Sequence, residues 1–216
     1  MRVVRVMRNN LFIIAKSGWK YIGYASLAFV LFAIFDLEFL EFFAFVAILF
    51  LIYLYRNPEK EMPFYQKNSV LAPVDGVVTS IENIENSEYA YKIEIESSYL
   101  NIGVLRLPMS AKVDSLEIIR GSRVSKKSKL FPLLNEYAKV RFIDEHNNSI
   151  ELVHRLKQSF APIDIELVKG QEMLQSTRYG LVINGTTSLY LKSNFRLNVK
   201  TGQEISAAET LLGYFT

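Results

Sequence analysis

Hydrophobic positions along the chain fall into two patterns, and the change comes near residue 60. From Gly18 to Tyr55 nearly every residue is apolar or aromatic, whereas from about Phe64 onward apolar and polar positions alternate. The apolar run is too long for one membrane span. Roughly 38 residues of helix at about 1.5 Å each would reach about 57 Å, against a hydrocarbon core of about 30 Å. Its middle also carries Asp36, Glu38 and Glu41, and an acid at the bilayer centre costs on the order of 2.5–3.5 kcal/mol. Two spans with the acids in the turn, Trp19–Phe35 and Phe39–Tyr55, remove both problems. Trp19, Tyr21 and Tyr24 at one end, with Tyr53 and Tyr55 at the other, suit the interfacial aromatic belt. A soluble hairpin would need a polar face, and these segments have almost no polar positions.

Charge then sets an orientation. Arg2, Arg5, Arg8, Lys16 and Lys20 precede the first span with no acid among them, Arg56 and Lys60 follow the second, and the turn holds only acids. The positive-inside rule places both ends in the cytoplasm. A cleaved signal peptide is not expected, because the apolar region is too long and no small-residue cleavage site follows it.

The remaining chain reads as strands. Tyr91–Glu96, Ala138–Ile143 and Ser149–Val153 alternate with period two, and the last two flank the turn-rich tract Asp144–Asn148, which predicts a hairpin. Further strands are expected at Gly180–Ile183, Ser188–Leu191 and Arg196–Val199, with one short helix near Phe131–Glu136. Val70–Val78 runs through a Pro/Asp-Gly turn, and Val199–Leu212 through a Gly turn. End segments of this kind pair in sandwich-like domains. The expected architecture is an all-β soluble domain, barrel- or sandwich-like with few short helices, over residues 57–216. It follows a basic segment and two-span helical hairpin over residues 1–56.

Composition narrows the chemistry. The absence of cysteine removes disulfides, thiol catalysis and thiolate metal sites. Two histidines, His146 and His154, are too few for a metal site, and a net charge of +3 is too weak to imply nucleic acid. A catalyst here must work with hydroxyls, carboxylates or a bound group. Neither tight turn carries a lysine beside a methionine, the usual setting of a swinging-arm carrier.

Several short motifs follow one another in order: Tyr55-Arg-Asn-Pro58 with Pro63, then Pro73, Asp75 and Gly76, then Arg106 and Pro108. Asn135-Glu136 comes next, then Arg178, Gly180 and Leu181, and last Gly202, Gln203, Glu209, Thr210 and Leu211. Taken together, over nearly the whole chain, they resemble the short bacterial and archaeal type of phosphatidylserine decarboxylase. The resemblance implies a carboxy-lyase of the phospholipid-synthesis pathway that turns phosphatidylserine into phosphatidylethanolamine. In that family a serine hydroxyl attacks the carbonyl of the preceding glycine, and the chain splits to leave a pyruvoyl group. The substrate amine forms a Schiff base with the new ketone, which absorbs the electrons released with carbon dioxide.

Carried onto this sequence, the cleavage site is Gly185-Thr186, the catalytic residues are Asp75 and Thr186, and Arg106 and Arg178 are substrate-binding. Cleavage at a threonine implies a 2-oxobutanoyl group in place of pyruvoyl. The implied setting is the inner membrane with the β-domain on the cytoplasmic side, as self-cleaved chains or a homo-oligomer. The sequence departs from the family in three places. Gly-Thr replaces Gly-Ser, Gly103 stands where the family has a histidine, and the Ala-Arg-Arg-Ile stretch falls at Phe160–Ile163 without its arginines.

Other readings attach to the same residues. Gly121-Ser122-Arg123 spells the processing motif but is expected in a solvated turn between Ile119 and Val124; Ser188 would need a two-residue slip; His154 suits a packed or surface position in a strand. Asp75-Gly76 also suits a strand turn on backbone grounds alone, and Tyr55-Arg-Asn-Pro58 a membrane exit. The departures admit a second function, an uncleaved relative that binds lipid or acts as a scaffold. A membrane-fusion adaptor of an export system shares the anchor and the turn motifs. It would need a long coiled coil, and the chain has no heptad run.

Overall fold

The computed structural model describes residues 13–61, 63, 68–84 and 88–216. Arg2, Arg5 and Arg8, assigned to the cytoplasmic flank, and Phe64, where alternation was placed to begin, lie outside the described residues. The chain divides into two compact units, one of Asn10–Glu59 and one running from Lys60 to Thr216.

In the first unit a 3-10 turn, Lys16–Gly18, leads into α1 (Trp19–Ile34), and α2 (Glu38–Leu54) returns beside it. The acids fall at the turn: Asp36 takes the left-handed conformation, φ 53°, and Glu38 and Glu41 occupy the first turn of α2, where the helix dipole favours negative charge. Phe29 and Phe45 meet between the helices, ring centroids 6.3 Å apart. The open ends are tied by main-chain bonds, Ala15 N–H to the Tyr55 carbonyl (2.7 Å) and Asn57 N–H to that of Ile13 (2.6 Å). Tyr21 stacks on Tyr55 at 5.6 Å.

In the second unit the strands pair antiparallel throughout the described residues. Its strands are β1 (Ser69–Leu71), β2 (Gly76–Asn83), β3 (Tyr91–Glu96), β4 (Val104–Arg106), β5 (Ala111–Ile119), β6 (Tyr137–Ile143) and β7 (Ser149–Leu156). They continue as β8 (Asp164–Ile165), β9 (Glu172–Met173), β10 (Arg178–Leu181), β11 (Gly185–Leu191), β12 (Phe195–Leu197), β13 (Glu204–Ile205) and β14 (Leu211–Phe215). One eight-stranded sheet runs β13-β2-β3-β11-β7-β6-β5-β9, and two three-stranded sheets run β1-β14-β12 and β4-β10-β8. One short helix, α3, covers Phe131–Leu134.

Period-two alternation decides which face each strand buries. In β3, Ile93 and Ile95 are fully buried while Lys92, Glu94 and Glu96 point outward. In β6 and β7, Ala138, Val140, Phe142, Ile150, Leu152 and Leu156 enter the same core. The expected β6–β7 hairpin forms, with Ile143 opposite Ser149. Its turn is closed by Asp144, whose carboxylate accepts the His146 and Asn148 N–H groups at 2.8 and 2.7 Å. The early and late turn segments also meet, Glu204 pairing with Val77 and Ile205 with Gly76.

The strands expected at Gly180–Ile183 and Arg196–Val199 lie instead at Arg178–Leu181 and Phe195–Leu197, and three further differences have a local cause. The helix expected to reach Glu136 ends at Leu134, because Asn135 turns to extended backbone (ψ 143°). The strand expected to begin at Ser188 begins at Gly185, since polar Thr186 and Thr187 are buried and break the alternation by which strands are read. Gly121-Ser122-Arg123 does not form a tight hairpin turn. The chain leaves β5 in a longer excursion, closed where Ser122 N–H bonds to the Leu134 carbonyl at 2.7 Å.

Candidate active site around Gly185

A left-handed turn delivers the chain into β11. Asn184 has φ 57°, a conformation asparagine tolerates better than most residues. Its side-chain amide donates to the Gln158 carbonyl at 2.6 Å, and its own carbonyl accepts from Lys157 N–H at 3.0 Å. At Gly185 a Cβ would sit 2.7 Å from Val182 Cγ1 and 2.8 Å from the Arg155 carbonyl oxygen, so only glycine fits.

The Gly185 carbonyl is not idle. It accepts the Ser97 N–H at 2.9 Å, and the Ser97 hydroxyl donates to the main-chain carbonyl of Asp75 at 2.5 Å. One residue at the end of β3 thus joins the Pro-x-Asp-Gly turn to the Gly185 carbonyl. The Asp75 carboxylate points elsewhere, accepting Lys60 Nζ at 2.6 Å and Ala207 N–H at 2.7 Å. Arg106 joins the group through its backbone, its N–H donating to the Pro73 carbonyl at 2.9 Å. It is 4% exposed and lies opposite Arg178 across β4 and β10.

Thr186 and Thr187 follow on opposite faces of β11. Thr186 is 4% exposed and lies between Glu96 of β3 and Arg155 of β7. The Glu96 carboxylate accepts Lys126 and Lys157 at 2.8 and 2.7 Å. Burial pushes its pKa up, but the two ammonium groups outweigh burial and hold it below the usual carboxylate value. Ser188, the alternative nucleophile, lies two positions further along the strand, opposite Glu94 and Val153, and no glycine precedes it.

Thr187 turns into the core. Its hydroxyl lies 2.8 Å from His154 Nδ1, and His154 Nε2 lies 2.8 Å from the Tyr179 hydroxyl. Burial alone drives the imidazole pKa down to about 3 and raises that of the Tyr179 phenol well above its usual value. The ring is neutral at physiological pH, so one nitrogen donates and the other accepts, and the two hydroxyls play opposite parts. His154, expected at a packed or surface position in a strand, is fully buried in β7. The structure pairs it with Thr187, not Thr186.

The sign of the pH effect follows. Below about pH 6.5 an unfolded His154 takes up a proton, whereas the folded ring does not until about pH 3. The unfolded state therefore binds more protons across this window, and stability falls as pH drops, by up to about 1.4 kcal/mol per unit from this group. Denaturation midpoints of the natural chain and His154→Gln across pH 6.5–4 should show a shallower acid slope in the variant. Parallel slopes would mean that the ring is not shielded.

Gly103, where the resemblance implies a histidine, accepts Val182 N–H on its carbonyl at 2.8 Å, and a Cβ there would stand 2.9 Å from the Val182 carbonyl oxygen. The neighbouring strand has closed onto the glycine. Gly103→Ala is expected to cost about 1–3 kcal/mol through overpacking. Gly103→His should cost at least as much and restore nothing, which denaturant titration of both variants would check.

Asn135 and Glu136 form a clasp. The Asn135 side chain donates to the Val124 and Leu156 carbonyls at 2.8 and 2.7 Å and accepts Val124 N–H at 3.0 Å. Glu136, 2% exposed, accepts Arg120, Arg123 (3.3 Å) and Ile163 N–H (3.0 Å). Ser122 of the decoy motif belongs to this excursion, its N–H and carbonyl bonded to Leu134 and Glu136 rather than placed in β11.

Among the described residues no group of three or more His, Asp or Glu side chains is arranged to hold a metal ion. A cavity of about 880 Å³ opens beside β5 and β9, between Lys112, His146 and Met173; none of its lining residues belongs to the Gly185 group. Ser97, Lys60 and the Thr187–His154–Tyr179 chain had no signal in the sequence, since each acquires its partner from a distant strand.

Comparison with known proteins agrees with the motif order. The sequence model of the phosphatidylserine decarboxylase family matches residues 47–213. A phosphatidylserine decarboxylase proenzyme of Geobacter metallireducens is 30% identical, over 96% of this chain and 99% of the relative. One from Desulfotalea psychrophila is 27% identical, over 93% and 95% of the two chains. One from Ehrlichia ruminantium is 28% identical, over 76% and 74%. With that coverage, the chain belongs to the phosphatidylserine decarboxylase family.

Proposed function

We propose that this protein is a membrane-anchored, self-cleaving decarboxylase that acts on phosphatidylserine, with the break between Gly185 and Thr186. The single observation that carries the reading is the Ser97 N–H held 2.9 Å from the Gly185 oxygen. An oriented amide at that oxygen stabilises the negative charge that develops when a hydroxyl adds to the carbonyl. Thr186 Oγ1 adds to the Gly185 carbonyl carbon and the Thr186 nitrogen leaves with a proton, which gives an ester. Loss of the Thr186 Cα proton then expels the Gly185 carboxylate. Water displaces the nitrogen as ammonia and leaves a 2-oxobutanoyl group on the new N-terminus.

The residues present fit that group. Gly185 admits no side chain, Thr186 supplies the hydroxyl, and the site is largely shielded from solvent. Once formed, the group supplies an electrophilic carbonyl that takes up the electrons freed as carbon dioxide departs. Asp75 and Lys60 form a charged pair beside the turn and hold it in place, and Arg106 and Arg178 offer positive charge to a phosphate or carboxylate.

The membrane anchor is residues 1–56 and the catalytic domain residues 57–216. Lys16–Ile34 is long and apolar enough to cross a membrane. Tyr24, Ile34, Phe35, Phe39 and Phe42 are each more than 60% exposed, an apolar surface that suits lipid better than water. The basic flanks support a cytoplasmic position for the catalytic domain at the inner membrane. Intact mass spectrometry of the purified protein tests the reading. The expected result is two chains, one ending at Gly185 and one carrying a hydrazide-reactive carbonyl at position 186. A single full-length mass would overturn it in favour of an uncleaved relative that binds lipid or acts as a scaffold.

A further inference from the structure

We infer that the excursion between β5 and β6 is an interfacial docking surface for an anionic bilayer, separate from the hairpin. From Arg120 to Leu134 it carries five cations and no acid. Three of the cations are held down by the sheet beneath, Lys126 on Glu94 and Glu96, and Arg120 and Arg123 on Glu136. Lys127 and Lys129 are exposed and make no ion pair among the described residues. Beside them Leu130, Leu133 and Leu134 are 50%, 75% and 46% exposed.

These leucines are held outward by a braced loop. Asn135 fixes both ends of the excursion, Ser122 N–H binds the Leu134 carbonyl, and Arg155 donates to the Pro132 carbonyl at 2.8 Å. Exposed leucines next to unpaired lysines, with no acid between them, match a surface whose outer layer is anionic and whose interior is apolar.

The surface also borders the processing strand. Arg123 donates to the Ser159 carbonyl at 2.8 Å, and Asn184 donates to that of Gln158 at 2.6 Å. Lys126 binds Glu96, the residue opposite Thr186. Docked leucines would hold Thr186 near the headgroup layer, where a phospholipid substrate presents its amine. The bilayer's charge follows from the sequence of the loop; the benefit to substrate rests on the decarboxylase reading.

Because the chain has no cysteine, Leu133→Cys gives a single labelling site for an environment-sensitive fluorophore on the full-length protein. The labelled protein is placed in nanodiscs of phosphatidylcholine alone, or of phosphatidylcholine with phosphatidylglycerol, with brominated acyl chains as quencher. The expected result is a blue-shifted, bromolipid-quenched signal in the anionic discs. Lys127→Glu with Lys129→Glu should return it to the neutral-disc level, and a label at Glu145→Cys should stay aqueous throughout. Leu130→Cys repeats the measurement at a second position. An aqueous signal at both leucines in anionic discs would overturn the inference. So would a shift equal in neutral discs, or one present in detergent without lipid, which would mark a protein contact. The readout needs no chain cleavage, so an uncleaved protein would refute the decarboxylase reading and leave this test intact.

Discussion

Thr186→Ala is expected to leave the protein as one uncut chain with no reactive carbonyl, whereas Thr186→Ser should cut about tenfold faster than the natural chain, equal to about 1.4 kcal/mol of barrier. Alanine removes the only side-chain oxygen that directly follows Gly185 while keeping the Cβ, and Thr186 lies in a strand paired on both sides, so the fold should tolerate the change. Serine keeps the oxygen and removes a methyl group that must otherwise be accommodated in a site only 4% exposed. The serine product would also carry pyruvoyl in place of 2-oxobutanoyl, a difference of one methylene that intact mass resolves. A cut one residue later would transfer the role to Thr187, whose hydroxyl already lies 2.8 Å from a neutral imidazole. Such a hydroxyl–base pair is a recognisable nucleophile arrangement, but it faces the core. Continued cleavage of Thr186→Ala at the original position would remove Thr186 as nucleophile.

The second large effect is expected at Glu136. Replacing it by alanine strips one buried carboxylate from Arg120, Arg123 and the Ile163 amide together. An unsatisfied buried N–H and a half-buried guanidinium are costly, though Arg120, 61% exposed, recovers water readily. The expected loss is about 2–3 kcal/mol, below the figure for a fully buried pair. Denaturation of the full chain in detergent, followed by circular dichroism in the β-sheet region, would read it. Glu136→Gln keeps an acceptor for Ile163 and should lose less. A loss near zero for alanine would mean that the excursion is held by Asn135 alone. Because the clasp also braces the leucines beside the processing strand, Glu136→Ala should reduce bilayer docking as well as stability.

The family's mid-chain Asn-Glu pair thus has a structural account in this protein. Asn135 satisfies three main-chain groups and Glu136 neutralises two arginines, so the pair converts a basic excursion into a fixed element. The departures at Gly103 and Thr186 have different weights. Threonine keeps the chemistry of a hydroxyl and changes only its crowding. Gly103 removes an imidazole altogether, and the packing has closed over its place. His154 does not fill that vacancy for Thr186, since strand alternation sends its ring to the opposite face of β11.

Much of the architecture was legible because it depends on local periodicity. The two helices lie within a residue of their expected limits, since an apolar run broken by three acids has one economical turn. The β6–β7 hairpin was legible because strict alternation flanks a tract of Asp and Asn. The sequence alone also supplied the motif order and the glycine–threonine step. Tertiary structure decided everything that depends on non-local pairing. Only the β3–β11 register places Ser97 N–H on the Gly185 oxygen, and only the β11–β7 register gives His154 to Thr187 and leaves Thr186 on the other face. Adjacent residues in a strand point to opposite sides, so two neighbouring threonines that look alike in the sequence enter different environments. The physical reason is that register is set by the whole buried face, summed over many strands, and no single segment carries that information.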